Sequence, residues 1–165
     1  MEYVIHEISP VWDHNSKILI LGSFPSVKSR EGNFFYNHPQ NRFWKVMAAV
    51  GNCSVPQGIE EKKKMLLEHR VAVWDVIASC QIEGSSDSSI QDVVPNDISV
   101  ILKQAPVEKI FTNGATAWKM YNRYIKPVVG REAIKLPSTS PANAAWSLER
   151  LVEEWKHFIS FPDGK

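Results

Sequence analysis

Lys17-Ile-Leu-Ile-Leu-Gly22 runs straight into Ser23-Phe-Pro-Ser26. The apolar stretch shows none of the alternation of a half-solvated strand, so it reads as a strand buried on both faces. Such a strand needs helices above and below it, which points to a layered α/β fold. Three more β-rich runs lie downstream: Val71-Ala-Val-Trp-Asp75, Val107-Glu-Lys-Ile-Phe-Thr112 and Ala133-Ile-Lys-Leu136. Helical segments separate them. Asn41 to Val50 is entered past Pro39, Ile59 to His69 carries Met65 and Leu66 among lysines, and Ala115 to Ile125 follows the Asn113-Gly114 turn. The last helix is the best marked, with Leu148, Leu151, Val152, Trp155, Phe158 and Ile159 on one face. Ser140-Pro141 is its expected cap and first turn. Alternating strands and helices predict a three-layer α/β/α sandwich around a central, mostly parallel four-stranded sheet with right-handed crossovers, a single domain over residues 1–165.

Composition narrows the function classes. The 165 residues are 44% hydrophobic and 22% charged, ordinary for a globular protein. Lys and Arg (19) nearly balance Asp and Glu (18), so any nucleic-acid contact must come from a local patch. Two cysteines, Cys53 and Cys80, are too few for a four-cysteine zinc or iron–sulfur site, and two free buried thiols are the expectation. The acidic N-terminal stretch is unlike a signal peptide, and no apolar run approaches the ~20 residues of a membrane span. A cytoplasmic monomer with no bound metal or cofactor is expected.

In a parallel sheet, ligands bind beyond the carboxyl ends of the strands. That rule selects the loops at Gly22–Ser26, after Asp75, at Asn113–Ala115 and at Pro137–Asn143. The segment after the first of them is rich in polar and aromatic side chains: Ser29, Arg30, Asn33, Phe34, Phe35, Tyr36, Asn37 and His38. An aromatic such as Tyr36 beside an amide such as Asn41 can stack on a base and hold its edge or a water; a hydrophobic plug with a capped helix start fits the same residues. The hydroxyls of Pro137-Ser-Thr-Ser-Pro-Ala-Asn143 suit a phosphate, and equally an ordinary helix cap.

Taken as an ordered set, these segments resemble the uracil-DNA glycosylase superfamily. Gly22-Ser-Phe-Pro25, His38-Pro-x-Asn41-Arg-Phe-Trp-Lys-Val46 and Leu136-Pro-Ser-Thr-Ser-Pro141 are similar to its motifs, the second most of all to those of mismatch-specific uracil-DNA glycosylases. The hypoxanthine (deoxyinosine) DNA glycosylase family is closer. That likeness rests on Tyr36-x-His-Pro-x-Asn-x-Phe-Trp44, Trp74-Asp-Val-x-x-Ser-Cys80 with Gly84-Ser-x-Asp-x-x-Ile90, and Asn113-Gly-Ala-x-Ala117. The resemblance spans most of the chain, from Leu19 to the last helix. It implies a glycosylase that flips a deaminated base out of DNA and hydrolyses its N-glycosidic bond, hypoxanthine being the leading substrate.

The chain departs from most of the superfamily in one place. Where they carry Asp or Asn before the motif-one proline, to position the attacking water, Phe24 stands here. The hypoxanthine family also lacks that residue and is thought to rely on the Asn of Asn-x-Phe-Trp, which carries over to Asn41 as the catalytic residue. Tyr36 (or Phe35) is then the stacking platform, with Phe24 and Ser23 beside it. Asp75 accepts the N1–H of hypoxanthine or the N3–H of uracil, or instead caps the next turn. Asn113 reads the base or only makes its turn with Gly114. Ser138, Ser140 and Asn143 are the expected phosphate clasp, and Lys28, Arg30, Arg42 and Lys45 the expected DNA-facing patch. No lysine occupies a motif position, so no Schiff-base step is expected. Two other readings stay open: a uracil or thymine mismatch glycosylase, and a non-catalytic reader of damaged bases.

Overall fold

The computed structural model describes residues 1–161. Its main sheet has four parallel strands in the order β3-β2-β6-β7: β2 (Ile18–Gly22), β3 (Val71–Asp75), β6 (Lys109–Asn113) and β7 (Ile134–Leu136). All five residues of β2 are buried, as the opening run requires. Its side chains alternate between two cores. Ile18 and Ile20 join Phe43, Met47, Leu66 and Trp155, whereas Leu19 and Leu21 join Ile101, Tyr121 and Ile125. The helices α2 (Phe43–Gly51), α3 (Gly58–Glu68) and α7 (Leu148–Phe158) thus cover one face. The short α4 (Ser99–Leu102) and the segment from α5 (Ala115–Met120) cover the other. The three-layer sandwich follows directly from that alternation.

A second, antiparallel sheet was not visible in the sequence. β1 (Glu2–Ile5), β4 (Ile77–Ile82) and β5 (Gln91–Pro95) pair in the order β1-β4-β5. Beyond β1 the chain crosses to β3, where Val11 and Val73 exchange two backbone hydrogen bonds of 3.0 and 2.9 Å. This path lays His6 over the carboxyl end of β3.

Three local expectations are corrected. Ser140-Pro141 does not cap the last helix: Ser147 does, its hydroxyl accepting from Arg150 N at 3.1 Å, and Ser140 belongs to a turn ahead of it. The helix expected over Ala115–Ile125 changes register, since Tyr121–Ile125 is a π-turn leading into α6 (Lys126–Val129). Pro127 has no N–H to return to the carbonyl four residues back, which favours the wider turn. Of the two free cysteines Cys80 is buried but Cys53 is exposed.

Candidate active site

Three of the four loops selected by the strand-end rule, together with Asp75 itself at the end of β3, line one cavity of about 540 Å³, a size that admits a purine base. Gly22, Asp75, Asn113 and Ser138 bring the ends of the four parallel strands to it, and Asn41, Tyr36 and Phe35 enter from the loop before α2. Because β3 and β6 flank β2 on opposite sides, the cavity lies where the strand order reverses.

Asp75 forms the floor. It is buried, and its Oδ2 lies 2.8 Å from His6 Nε2. The His6 Nδ1 accepts the Ile8 N–H at 3.2 Å, which leaves the ring proton on Nε2 to be donated to the carboxylate. Asp75 therefore has a partner and does not cap the next turn. The His6 ring meets Phe24 edge-on and lies beside Phe35, so the dyad is walled by aromatics. Gly22 is needed at this point: a methyl group there would collide with Asp75 Oδ1 and lie 3.0 Å from the Tyr36 hydroxyl.

Tyr36 adopts a left-handed backbone (φ 51°), rare for a bulky residue and held here by packing. Its ring stacks on Phe43 at 4.0 Å between centroids. Its buried hydroxyl has no hydrogen-bond partner. Burial first, and the Asp75 charge second, push that hydroxyl well above the ordinary tyrosine value, so it stays protonated.

Asn41 is oriented by a short relay. Its Oδ1 accepts from Phe43 N at 2.9 Å and from the Thr139 hydroxyl at 2.8 Å. Thr139 Oγ1 in turn accepts from Asn113 Nδ2 at 3.0 Å, while Asn113 Oδ1 accepts from Thr139 N at 3.0 Å. The carbonyl end of Asn41 is thereby spoken for, and Nδ2 is the end that can donate into the cavity. Asn113 does more than shape the turn at Gly114: both ends of its amide hold Thr139, a fully buried residue.

The Pro137–Asn143 loop is braced from outside. Trp155 Nε1 donates to Pro137 O at 2.9 Å. The Arg42 guanidinium donates to the carbonyls of Trp146, Ser140 (3.0 Å) and Asn143 (3.1 Å). Ser138 Oγ accepts from Ser140 N and Ser140 Oγ from Ala142 N, each at 3.1 Å, so both hydroxyl hydrogens remain free to donate. Ser138 and Ser140 line the cavity; Asn143 does not, and its Nδ2 donates to Ser138 O. Of the expected basic patch, the two arginines are engaged within the fold and the two lysines are exposed. Arg42 is a loop clamp, Arg30 bonds Gly84 O and lies over the Phe24 ring, and Lys28 pairs with Glu31, while Lys45 is exposed.

Phe24 is 8% exposed, half core and half wall. Next to it, Ser23 Oγ donates to Asp87 Oδ1 at 3.2 Å. Asp87 stands on the 3-10 turn Asp87–Ser89 and lines the same cavity. The surrounding protein raises its pKa above the ordinary aspartate value; Ser23 opposes that shift and Asp75 adds to it.

Sequence reasoning assigned no role to His6, Thr139 or Asp87. Thr139 and Asp87 lie inside segments it had singled out, but only folding pairs Thr139 with Asn41, 98 positions away. His6 is 69 positions from Asp75, and a lone histidine ending a short strand carries no signal of such a partner. Among the described residues no three His, Cys, Asp or Glu side chains gather as a metal site, and no lysine lines the cavity.

Comparison with known proteins identifies the family and the fold. The sequence model of the Uracil DNA glycosylase superfamily matches residues 10–159. A hypoxanthine DNA glycosylase of Methanosarcina acetivorans is 37% identical over 148 residues, 88% of this chain and 92% of that one. One from Methanosarcina barkeri is 31% identical over 136 residues, 81% and 85% of the two chains. The solution NMR structure of a candidate uracil DNA glycosylase from Methanosarcina acetivorans superimposes with a TM-score of 0.77 at 36% identity, covering 92% of this chain and 93% of that one. With its motifs on one cavity and its fold shared over nearly the whole length, the chain belongs to the Uracil DNA glycosylase superfamily.

Proposed function

We propose that this protein is a monofunctional DNA glycosylase that hydrolyses the N-glycosidic bond of a deaminated base, hypoxanthine first, after flipping the nucleotide into the cavity. The carrying observation is the Asn41 relay: an amide on the wall of a base-sized cavity whose carbonyl is held by two donors, which leaves Nδ2 to donate. Two relatives named for hypoxanthine favour that base over uracil.

The base leaves with the bonding electron pair, and negative charge spreads over its ring and exocyclic oxygen. Donors fixed before the reaction stabilise that charge without reorganising, and Asn41 Nδ2 is such a donor. Asp75 Oδ1 accepts the N1–H of hypoxanthine, a hydrogen that adenine lacks at that atom. With Oδ2 held by His6, only one oxygen is left to read the base. Tyr36, backed by Phe43, is the platform for the flipped base, a contact worth about 1–3 kcal/mol. Ser138 and Ser140 donate to the flanking phosphate, with Asn143 holding the loop in shape. The partner is DNA carrying the lesion, and the protein acts as a cytoplasmic monomer, a setting that suits an exposed free thiol at Cys53.

The test is incubation with labelled duplexes carrying one deoxyinosine, deoxyuridine or deoxyxanthosine, with chelator present, followed by alkali. Breaks at deoxyinosine that vanish in Asn41→Ala support the reading. Cleavage only at deoxyuridine keeps the reaction and overturns the substrate. Binding with no cleavage at any lesion would make the protein a reader of damage whose motif-one change to Phe24 ended catalysis.

A further inference from the structure

Hydrolysis needs a group on the sugar side to orient a water and take its proton. Phe24 cannot do so, Ser23 is too weak a base, and the Asn41 carbonyl already accepts two hydrogen bonds. Resting on the glycosidic activity proposed above, we infer that Asp87 is the general base, delivered to the motif-one loop from the neighbouring turn in place of the missing residue there.

Several observations converge on it. The cavity holds two carboxylates in different settings. Asp75 is buried and committed to His6, whereas Asp87 is exposed to the cavity mouth and takes one protein hydrogen bond, from Ser23 on Oδ1. Its Oδ2 is left for a water. The turn that carries it is moored to the motif-one side: Ser85 Oγ accepts from Val27 N at 2.9 Å, and Arg30 Nη2 donates to Gly84 O at 3.0 Å. Asp87 is thus held on Ser23, next in the chain to the Phe24 that cannot serve. Two carboxylates whose surroundings separate their roles are a recurring arrangement in glycosidic chemistry.

The step balances simply. The water oxygen bonds to C1′ as the C1′–N9 bond breaks, the bonding pair leaves with the base, and the water proton passes to Asp87. The titratable groups that interact with Asp87 are Asp75 from β3 and Cys80 from β4, and Arg30 of the helix α1 (Val27–Gly32) acts on Cys80 in turn. Since its pKa lies above the ordinary aspartate value, activity rises with pH through a limb displaced upward from that range.

The test compares wild type, Asp87→Asn and Asp87→Ala on a deoxyinosine duplex under single-turnover conditions. We expect Asp87→Asn to slow excision by roughly 10²–10³-fold while duplex affinity and the urea midpoint hold, and the acid limb to disappear. Formate should restore part of the rate in Asp87→Ala. Asp87→Asn within about threefold of wild type, or a loss matched by an equal loss of affinity without formate rescue, overturns the assignment. If wild type cleaves deoxyinosine and the variants match it, only Asp87 fails; if wild type cleaves no lesion at all, the activity and the assignment fall together.

Discussion

Turning the Asn41 amide over would set its NH2 against the Phe43 N–H and the Thr139 hydroxyl. The Phe43 N–H can only donate, so that orientation is excluded by chemistry, and the donor end is left facing the cavity. Thr139 thus fixes the orientation of Asn41, and on the proposed function it acts on the substrate only through that amide. Thr139→Val keeps the shape but leaves Asn113 Nδ2 short of an acceptor and Asn41 short of a donor. A stability loss of about 1–3 kcal/mol by urea denaturation is expected, with single-turnover excision slowed by about tenfold or more. Thr139→Ser should restore the rate; a valine variant as fast as wild type would remove Thr139 from the argument. The orphan hydroxyl of Tyr36 makes a second, opposite prediction. Tyr36→Phe deletes a buried polar atom that has no partner, so stability should hold or rise by up to about 1 kcal/mol. The folded state keeps this proton above the ordinary tyrosine value near 10, whereas the unfolded chain releases it. Folded protein then binds more protons, so stability falls as pH rises past ~10. Urea midpoints at about pH 9 and 11 should fall less in Tyr36→Phe than in wild type.

At the scale of elements, the loop from Ser138 to Trp146 has no regular structure and owes its form to turn bonds within it and to hydrogen bonds from outside it. Arg42 supplies three of them from the entrance of α2. A lysine ammonium cannot span three carbonyls as a planar guanidinium does. Arg42→Lys should therefore lower stability by about 1–3 kcal/mol and speed amide exchange through 138–146 while leaving β2 and β3 protected. Unchanged exchange in that loop would show that Trp155 and the Asn113–Thr139 pair suffice. How far these elements were legible in the sequence follows from burial. β2, β3, β6 and β7 sit inside a parallel sheet and read as short apolar runs. β1 and β5 are largely solvent-exposed and carry Glu2, Gln91 and Asp92, so no hydrophobic pattern marks them. The loops lining the site were legible because a parallel sheet brings its strand ends together, whichever residues they carry. Roles that depend on pairs across the fold, such as Asn41 with Thr139, were not.

For the whole molecule, the division of labour between its two sheets bears on function. The parallel sheet supplies the cavity, and the antiparallel sheet brings two groups to it. β1 leads His6 to Asp75, and the link between β4 and β5 carries Asp87. On the function proposed above, a strand that lines no part of the cavity supports the residue that reads the base. Removing residues 1–7 deletes β1 and His6 but keeps Ile8, Val11 and the bridge to Val73, and with them the main core. Most side chains of β1 are exposed, so little apolar burial is lost, but Asp75 is left buried without its donor. Leaving one partner of a buried pair alone is strongly destabilising, up to about 3–5 kcal/mol, and Asp75 would shift or take up water to escape it. The truncated protein should retain the circular dichroism of an α/β fold with a lowered midpoint and lose most deoxyinosine excision. His6→Ala, with β1 in place, should reproduce the loss of excision. If the point variant excises at the wild-type rate while the truncation does not, β1 acts by holding β4 and its turn; if both excise normally, Asp75 reads the base without His6.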